Sequence, residues 1–457
     1  MRHRLPDLWR QTLLGMPTFA PRRQSPIGFP ALTMLHLADI RRDPEAAKER
    51  LRHRHFAQPE AIDELIALDD QRKKLQTDHD AVLAESNVLA REIGQLYTQG
   101  KKEKGDAAKV RTAELKQRSK ELSEQQDKVS ESLQTLLYTL PNLPHASVPA
   151  GRTPEDNAVV RSGGNTPSLP ATAHPHWDLA ATYDLIDFEL GVKLAGSGFP
   201  VYKGKGARLQ RALIAFFLDR ATDAGYTEYI PSVMINEASG FGTGQLPDKE
   251  GQMYLVAEDK LYLAPTAEVP LTNIYRDVIL EAAQLPIKMT AYTSCFRREA
   301  GSYGKDVRGL NRLHQFEKVE IVRIEHPDRS YEVLEEMVAH VESLVQALEL
   351  PYRILRLCGG DMGFTSALTY DFEVWSAAQE RWLEVSSVSN FETFQANRLK
   401  LRFQDSDKKK ALAHTLNGSA LALPRIVAAL LENNQDETGI AIPKVLQPYT
   451  GFARIGG

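Results

Sequence analysis

The sequence predicts an α+β protein in which a long helical hairpin precedes a globular domain of strands and helices. Three observations predict this class. Apolar residues recur at intervals of seven in two runs between residues 68 and 136. Seven prolines then crowd residues 141–175, a density that neither a helix nor a central strand tolerates. Beyond them, apolar and alternating segments at 289–296 and 313–324 indicate two β-strands joined by a glycine-containing loop.

The composition excludes several functional classes. With 457 residues, 42% of them hydrophobic and 25% charged, the chain resembles a soluble globular protein of two or three domains. Its net charge of -4 means that any contact with RNA must come from a local basic patch. The two cysteines form no CxxC pair, which argues against a disulfide framework or a cysteine zinc site and favours the reducing cytoplasm. No run of about 18 apolar residues occurs, so neither a membrane span nor a membrane partner is expected.

Residues 1–33 differ in composition from the rest of the chain. They contain five arginines, a single acid and five prolines. An arginine-rich, acid-poor start is typical of an organellar transit peptide, but the single serine and the scattered prolines argue against that interpretation. We expect a disordered extension, or a segment that lies upstream of the start codon in use.

Residues 34–140 are predicted to form an antiparallel helical arm. The heptad positions are all apolar: Leu68, Leu75, Val82, Leu89 and Leu96 in the first run, and Leu115, Leu122, Val129 and Leu136 in the second. A polar, glycine-flanked turn is expected at 100–106. At 1.5 Å per residue, each helix would be on the order of 50 Å long.

The tip of this arm has an excess of positive charge. Its basic residues outnumber the two nearby acids, Glu103 and Asp106; they are Lys101, Lys102, Lys104, Lys109 and Arg111. Exposed positions of a coiled coil are ordinarily charged, so a solvated surface explains the pattern by itself. Contact with the phosphates of a nucleic acid explains it as well.

The globular domain is expected at 176–457, after a linker at 141–175. Helical spacing at 209–219 precedes a β-rich run at 226–234 that contains Pro231. These elements by themselves indicate an ordinary helix and strand.

Neither a glycine-rich phosphate loop nor a metal-binding histidine cluster is predicted. The pair Gly204 and Gly206 lacks the third glycine of a dinucleotide-binding loop, and no P-loop sequence occurs. The paired histidines lack acids or cysteines at ligand spacing and are expected at the surface; they are His53, His55, His174 and His176.

The hairpin at 289–324 concentrates chemically versatile residues. Its first strand leads into three charged residues, and alternation places three others on one face of its second strand. They are Arg297, Arg298 and Glu299, followed by Phe316, Lys318 and Glu320. An aromatic ring, guanidinium groups and carboxylates suit a nucleoside triphosphate. From these residues alone, a solvated hairpin with ion pairs is an equally good explanation.

This hairpin, whose second strand includes HQFEKVE, resembles motif 2 of class II aminoacyl-tRNA synthetases in its seryl-tRNA synthetase version. Segments 209–234 and 415–435 resemble motifs 1 and 3 of that class, and LAPTAEVPLTN around 266–268 resembles the serine-binding triplet. The resemblance covers nearly all of residues 34–457, includes the arm, and is to the common bacterial type. It implies that 176–457 form the class II fold, an antiparallel β-sheet flanked by helices.

The resemblance also implies a serine-binding set: Thr266, Ala267, Glu268, Glu320, Asn417 and Ser419. By local chemistry alone, a role for Thr266 as a helix cap explains the sequence as well as a role in binding serine. The pair Asn417 and Gly418 predicts a turn before a helix over 420–435. Glu268 and Glu320 would bind the ammonium and hydroxyl groups of serine. The sequence does not indicate which carboxylate binds the hydroxyl.

An ATP-binding set is implied in the same way: Arg297, Arg298, Glu299, Phe316, Glu384, Val385, Ser386, Ser387 and Arg425. Arg297 and Arg425 would be catalytic, holding the α-phosphate and the γ-phosphate. Phe316 would stack on adenine with Glu299 near its amino group.

Residues 370–390 predict two further strands, which present Glu384 and Ser387 at nearby positions. Carboxylate and hydroxyl oxygens are hard ligands that suit Mg²⁺ held against a triphosphate. The resemblance implies that these two residues bind the metal.

The implied activity is ATP-dependent attachment of serine to its tRNA through a seryl-adenylate, with selenocysteine tRNA left open as a second substrate. The arm would grip the long variable arm of serine tRNA, and motif 1 would form a homodimer. Because the carboxylate of serine is already ionised, its attack on the α-phosphorus needs aligned cations rather than a general base. The alternative is a paralogue without aminoacylation activity, either a carrier-protein ligase or a non-catalytic RNA-binding protein.

Overall fold

An eight-stranded β-sheet flanked by helices organises the chain beyond residue 157. The computed structural model describes residue 35 and residues 37–299 and 308–456. The extension expected at 1–33 lies outside these described residues. The described residues all belong to one compact unit.

The helices divide into those of the N-terminal arm and those that flank the sheets. Those of the arm are α1 Leu37–Arg42, α2 Pro44–His53, α3 Ala61–Thr98 and α4 Lys102–Thr139. The later helices are α5 His176–Thr182, α6 Phe188–Ala195, α7 Gly204–Asp223, α8 Glu237–Thr243, α9 Glu268–Asn273, α10 Ser330–Ala347, α11 Phe394–Leu399, α12 Leu423–Asn433 and α13 Gln447–Thr450. None of the helices in the described ranges combines the length and the apolarity that a membrane crossing requires.

The strands build the large sheet and several small ones. In chain order they are β1 Ala158–Gly163, β2 Ile186–Asp187, β3 Val201–Tyr202, β4 Thr227–Glu228, β5 Met234–Asn236, β6 Leu255–Val256, β7 Leu261–Leu263, β8 Ile279–Glu281, β9 Ile287–Phe296, β10 Gln315–Glu325, β11 Tyr352–Arg356, β12 Leu368–Ser376, β13 Arg381–Asn390, β14 Arg402–Gln404, β15 Lys410–Leu412, β16 His414–Ala422, β17 Gln435–Asp436, β18 Gly439–Ala441 and β19 Arg454–Ile455. The large sheet has the order β1-β11-β12-β13-β16-β10-β9-β4. Neighbouring strands in it are antiparallel except β4 and β9, so the predicted antiparallel sheet is confirmed.

Helices α3 and α4 form the predicted antiparallel hairpin, but the turn between them is shorter than expected. Because α4 begins at Lys102, the connection is only residues 99–101. Gly105, expected in the turn, lies in α4 under the ring of Tyr97, where an added Cβ would be 3.0 Å from ring carbons. Glycine serves close packing here rather than a reversal of the chain. With 38 residues each, the helices are about 57 Å long.

A buried arginine fastens the base of the arm to the sheet domain. The guanidinium of Arg54, just after α2, donates to the carbonyls of Asn142, Met362, Gly363 and Ser366 at 2.5–3.0 Å. Burial lowers the pKa of Arg54 to about 10. The four carbonyls replace the water that a charged group loses on burial. The arm base and the loop containing Ser366 are therefore held by one side chain.

The turn predicted at Asn417 and Gly418 is wrong. Both residues lie inside β16, which pairs with β10 on one side and β13 on the other. Glycine suits position 418, since an added Cβ would lie 3.2 Å from Val388 and 3.4 Å from Ile321. Pairing on both sides outweighs the local turn preference of the dipeptide.

Other elements differ from the prediction mainly in extent. The helix expected at 209–219 is the middle of α7, and the helix expected at 420–435 is α12. The β-rich run at 226–234 is mostly irregular, with only β4 and the first residue of β5 inside it and Pro231 between them. The proline-rich segment 141–175 contains β1, which lies at an edge of the large sheet, where flanking prolines are tolerated.

Candidate active site

A cavity of about 750 Å³ opens over strands β10, β12, β13 and β16 of the large sheet. Its lining residues, from Gly244 to Arg425, are up to 181 positions apart in the sequence. Most of the predicted site residues line it: Thr266, Glu268, Arg297, Glu299, Phe316, Glu384, Val385, Ser386, Ser387, Asn417, Ser419 and Arg425. The remaining walls come largely from segments 244–253, 310–313 and 357–371.

Three predicted site residues do not line the cavity. Ala267 is fully buried in a hydrophobic cluster with Leu271 and Met289. The side chain of Arg298 is exposed, and its backbone N–H donates to the Gln252 carbonyl at 2.9 Å. Glu320 lies behind the lining residues.

Glu320 is the centre of a buried hydrogen-bond cluster. It is fully buried, and its Oε1 accepts from Thr266 Oγ1 at 2.6 Å and pairs with the Lys318 ammonium. Its Oε2 accepts from Asn417 Nδ2 at 2.9 Å. The register explains the cluster, because Glu320 faces Ser419 across β10 and β16. Glu320 therefore positions lining residues, including Lys318, to which the sequence assigned no role.

Glu268 is the carboxylate that faces the cavity. Its Oε1 accepts from Gln395 Nε2 at 2.6 Å, and Thr415 Oγ1 fixes that amide by donating to Gln395 Oε1 at 2.8 Å. Burial, followed by the neighbouring charge of Glu320, raises the pKa of Glu268 to about 7. Thr266 Oγ1 also accepts from the Glu268 N–H at 3.3 Å, but the N-cap position of α9 is Ala267 and no side chain caps the helix there.

A guanidinium group and an aromatic ring form another part of the wall. The Arg297 guanidinium lies over the Phe316 ring, 5.3 Å from its centroid, which is a favourable cation–π distance. Next to them, Glu299 accepts from Arg312 at 2.9 Å. This wall therefore offers a planar apolar surface with a cation over it and a carboxylate beside it.

Arg425 reaches the cavity from α12. Its Nε donates to the carbonyl of Asn311 at 3.2 Å and its terminal nitrogen donates to the carbonyl of Glu384 at 2.6 Å. Burial lowers the pKa of Arg425, and the Glu384 carboxylate opposes that shift. The two carbonyls fix the guanidinium in place while leaving further N–H groups for a ligand.

A β-bulge brings Glu384 and Ser387 to the same face of β13. Residues three apart on a regular strand point to opposite faces. Here the pairing with β12 skips Val385, since the residues on either side of it pair with Glu373 and Phe372. The extra residue resets the alternation, and both side chains line the cavity.

Asp371 faces Ser387 across β12 and β13 and was not predicted as a site residue. Its Oδ1 is buried and has no hydrogen-bond partner among the described residues. Burial, and secondarily the charge of Glu384, raise the pKa of Asp371 well above its ordinary value. Only the bulge and the pairing reveal that these acids share a face, and neither is evident from local sequence.

The basic residues predicted at the arm tip are all exposed. Two of them are engaged within the arm: Lys109 lies over the Tyr97 ring at 4.5 Å, and Arg111 pairs with Glu85 at 2.9 Å. The other three, Lys101, Lys102 and Lys104, take part in no ion pair within the described arm. Of the five basic residues at the tip, these three are therefore free of the contacts that engage Lys109 and Arg111.

The histidine expected at the surface at position 176 is instead fully buried, so that prediction is wrong. Its ring is bonded to the carboxylate of Glu432 at 2.7 Å and to the N–H of Leu310 at 2.9 Å. Contacts between residues this far apart in the sequence are not predicted by local residue spacing.

Comparisons with known proteins find relatives that match up to 93% of this chain. A family model described as the seryl-tRNA synthetase N-terminal domain matches residues 34–144, and one described as the tRNA synthetase class II core domain (G, H, P, S and T) matches 254–434. The serine–tRNA ligase of Salinibacter ruber is 52% identical over 93% of this chain and 99% of its own length, and that of Trichlorobacter lovleyi is 48% identical over 84% and 91%. The crystal structure of seryl-tRNA synthetase from Pyrococcus horikoshii complexed with ATP superposes with a TM-score of 0.86 and 35% identity, covering 93% of this chain and 99% of that one.

Proposed function

Because this chain belongs to the seryl-tRNA synthetase family, we propose that its cavity activates serine with ATP and that the seryl group then passes to the terminal ribose of serine tRNA. The activity is that of a serine–tRNA ligase. The observation that most supports the residue assignment is the pairing, in one cavity, of buried carboxylates with fixed guanidinium groups. The carboxylates suit a small ammonium-bearing substrate and the guanidinium groups suit a triphosphate.

For serine, we assign the ammonium group to Glu268, because it lines the cavity and Glu320, the other carboxylate implied for serine, does not. Glu320 acts indirectly, by orienting Thr266 and Asn417 through its hydrogen bonds. Those polar groups and Ser419 are available to the serine hydroxyl. Alanine would leave them unpaired, which is a strong basis for rejection, whereas threonine must be excluded by the size of the pocket.

For ATP, we assign adenine to the Phe316 ring, with Glu299 near its amino group. Arg297 would hold the α-phosphate and Arg425 the γ-phosphate. Serine is already a carboxylate at pH 7, so these preorganised cations reduce charge repulsion and align the attack without a general base.

The cavity also fits Mg²⁺. Glu384, Ser387 and the partnerless Asp371 Oδ1 would hold it. Mg²⁺ commonly binds one or two carboxylates together with substrate phosphates; the described residues contain no group of three or more His, Cys, Asp or Glu side chains placed to hold a metal. When bound, the ion neutralises charge on the phosphates.

Binding of the serine ammonium by an ionised Glu268 carboxylate predicts a pH dependence. Since the pKa of Glu268 is raised to about 7, its carboxyl becomes protonated below pH 7 and loses attraction for the serine ammonium, which stays charged. The KM for serine should therefore rise about tenfold per pH unit on the acid side of that pKa. Pyrophosphate exchange at several pH values measures this, and the KM of Glu268→Gln should be high and independent of pH. A wild-type KM that is flat with pH would contradict the assignment.

We propose that the arm tip binds the long variable arm of serine tRNA through phosphate contacts. Lys101, Lys102 and Lys104 support this, because they are exposed and form no ion pair with the described residues. Selenocysteine tRNA, if it shares that long arm, would bind in the same way.

Replacing those three lysines by serine should leave serine activation unchanged and raise the KM for tRNA. Each lost phosphate contact should also reduce the salt dependence of tRNA binding by about one unit of slope. Aminoacylation and pyrophosphate exchange, run side by side, separate the two effects. The matched control replaces the exposed triplet Lys408, Lys409 and Lys410, and equal loss with both sets would mean that overall charge, not the arm, matters.

We propose a homodimer built on the segment that resembles motif 1. Ile230 is 92% exposed and Met234 is 47% exposed, and large apolar side chains exposed in this way are typical of interfaces. Sedimentation equilibrium should give twice the single-chain mass of 51.1 kDa.

We also place the enzyme in the cytoplasm. Both cysteines are free and buried, as suits a reducing compartment. Cell fractionation tests this.

Serine-dependent ATP–pyrophosphate exchange, run with and without tRNA, tests the proposed function. Exchange without tRNA and charging with it are expected. A carrier-protein ligase would give exchange without charging, and a non-catalytic RNA-binding paralogue would give neither. The presence of the arm together with Arg297, Glu268 and Arg425 in one cavity supports neither alternative.

A further inference from the structure

His176 and Glu432 form a buried pair next to the ATP side of the cavity. His176 begins α5, and its Nδ1 lies 2.7 Å from Glu432 Oε1 on α12. Its Nε2 accepts from the Leu310 N–H at 2.9 Å, so the ring proton is on Nδ1. The other oxygen of Glu432 accepts from Ser376. Every polar atom of this pair therefore has a defined partner.

Asn311, the residue after Leu310, is linked back to Glu432 through Gln379. Asn311 Nδ2 donates to Gln379 Oε1 at 3.0 Å, and Gln379 Nε2 donates to Glu432 Oε1 at 2.9 Å. The Asn311 carbonyl accepts from Arg425 Nε at 3.2 Å. The circuit therefore touches the arginine assigned to the γ-phosphate.

The segment 309–313 packs closely on the histidine ring. Gly309 has φ of +68°, and an added Cβ would lie 2.2 Å from His176 Nε2. The four residues after it line the cavity, and Arg312 holds Glu299 by an ion pair at 2.9 Å. Any shift of the segment would move both Arg425 and Glu299.

We propose that His176 is a positioning residue for ATP: by accepting from the Leu310 N–H it fixes segment 309–313, and through it Arg425 and Glu299. The identity of the ligand as ATP rests on the proposed function. The serine side has a separate support, the Glu320 cluster, so the effect of losing His176 should be confined to ATP.

Two substitutions of His176 distinguish the roles of the two hydrogen bonds made by its ring. His176→Asn keeps a donor near Nδ1 and loses the acceptor for Leu310, whereas His176→Gln retains an acceptor near Nε2. In pyrophosphate exchange with the full chain, His176→Asn should raise the KM for ATP at least about tenfold, since small displacements of positioning groups have effects of that size or larger. The KM for serine should stay near the wild-type value, and His176→Gln should restore most of the ATP affinity. His174→Asn, two residues away and exposed, is the matched control.

An unchanged KM for ATP in His176→Asn, or an equal rise for serine and ATP, would overturn the inference. If His176→Asn does not fold, Gly309→Ala decides, because its added Cβ would lie 2.2 Å from His176 Nε2 and would displace the segment from the ring: a raised KM for ATP supports the inference and an unchanged one overturns it. Wild-type enzyme without any serine-dependent exchange would instead refute the proposed function.

Discussion

Replacing Arg297 by alanine should lower the kcat of serine activation by at least about 10²-fold, the size of effect known for removing one donor from a preorganised anion site. The guanidinium lies over Phe316, so its loss removes the cation next to the place assigned to the α-phosphate. Pyrophosphate exchange at saturating ATP measures the change in kcat.

Arg298→Ala provides the comparison for this experiment. Arg298 is adjacent in the sequence and has the same chemistry, but its side chain is exposed and lies outside the cavity. We expect a much smaller effect there. Near-wild-type turnover in Arg297→Ala, or equal losses at both positions, would remove Arg297 from the mechanism.

Glu268→Gln and Glu320→Gln should both raise the KM for serine, by roughly 10- to 100-fold, which corresponds to losing a hydrogen bond to a charged group. In the first variant the ammonium group loses its carboxylate. In the second, the nearly buried Lys318 loses its partner and its charge then repels the ammonium. The KM for ATP should change little, because Arg297 and Arg425 are untouched.

Alanine separates the roles of the two carboxylates. Alanine shares the ammonium group, so Glu268→Gln should weaken serine and alanine by similar factors. Glu320→Gln releases Thr266 and Asn417, the groups assigned to the hydroxyl, so it should also reduce discrimination against alanine. Exchange assays with both amino acids test this, and an unchanged KM for serine in either variant would take that carboxylate out of serine recognition.

Local patterns predicted those elements whose stability is itself local. The heptad positions at Leu115, Leu122 and Val129 are buried as predicted, because a helical hairpin packs mainly against itself. The strand hairpin of β9 and β10 was predicted for the same reason, since its partners are neighbours in the sequence.

What the sequence did not reveal depends on partners far along the chain. Gln395 meets Glu268 across 127 positions and His176 meets Glu432 across 256, and no periodicity encodes such contacts. The Asn417–Gly418 pair has the composition of a turn, yet pairing on both sides makes it the middle of a strand. The shared face of Glu384 and Ser387 depends on a bulge, which two-residue alternation does not foresee.

The four carbonyl bonds of Arg54 limit how this chain can be divided or recombined with another. A fragment that begins after the arm would leave the carbonyls of Met362, Gly363 and Ser366 without their donor, in a loop that contributes to the cavity wall. A chimera that exchanges the whole of residues 35–140 would break the same bonds unless its new arm supplies an equivalent arginine. The exchangeable module is therefore the distal part of α3 and α4, and a graft that alters tRNA choice should join the two helices beyond their buried base.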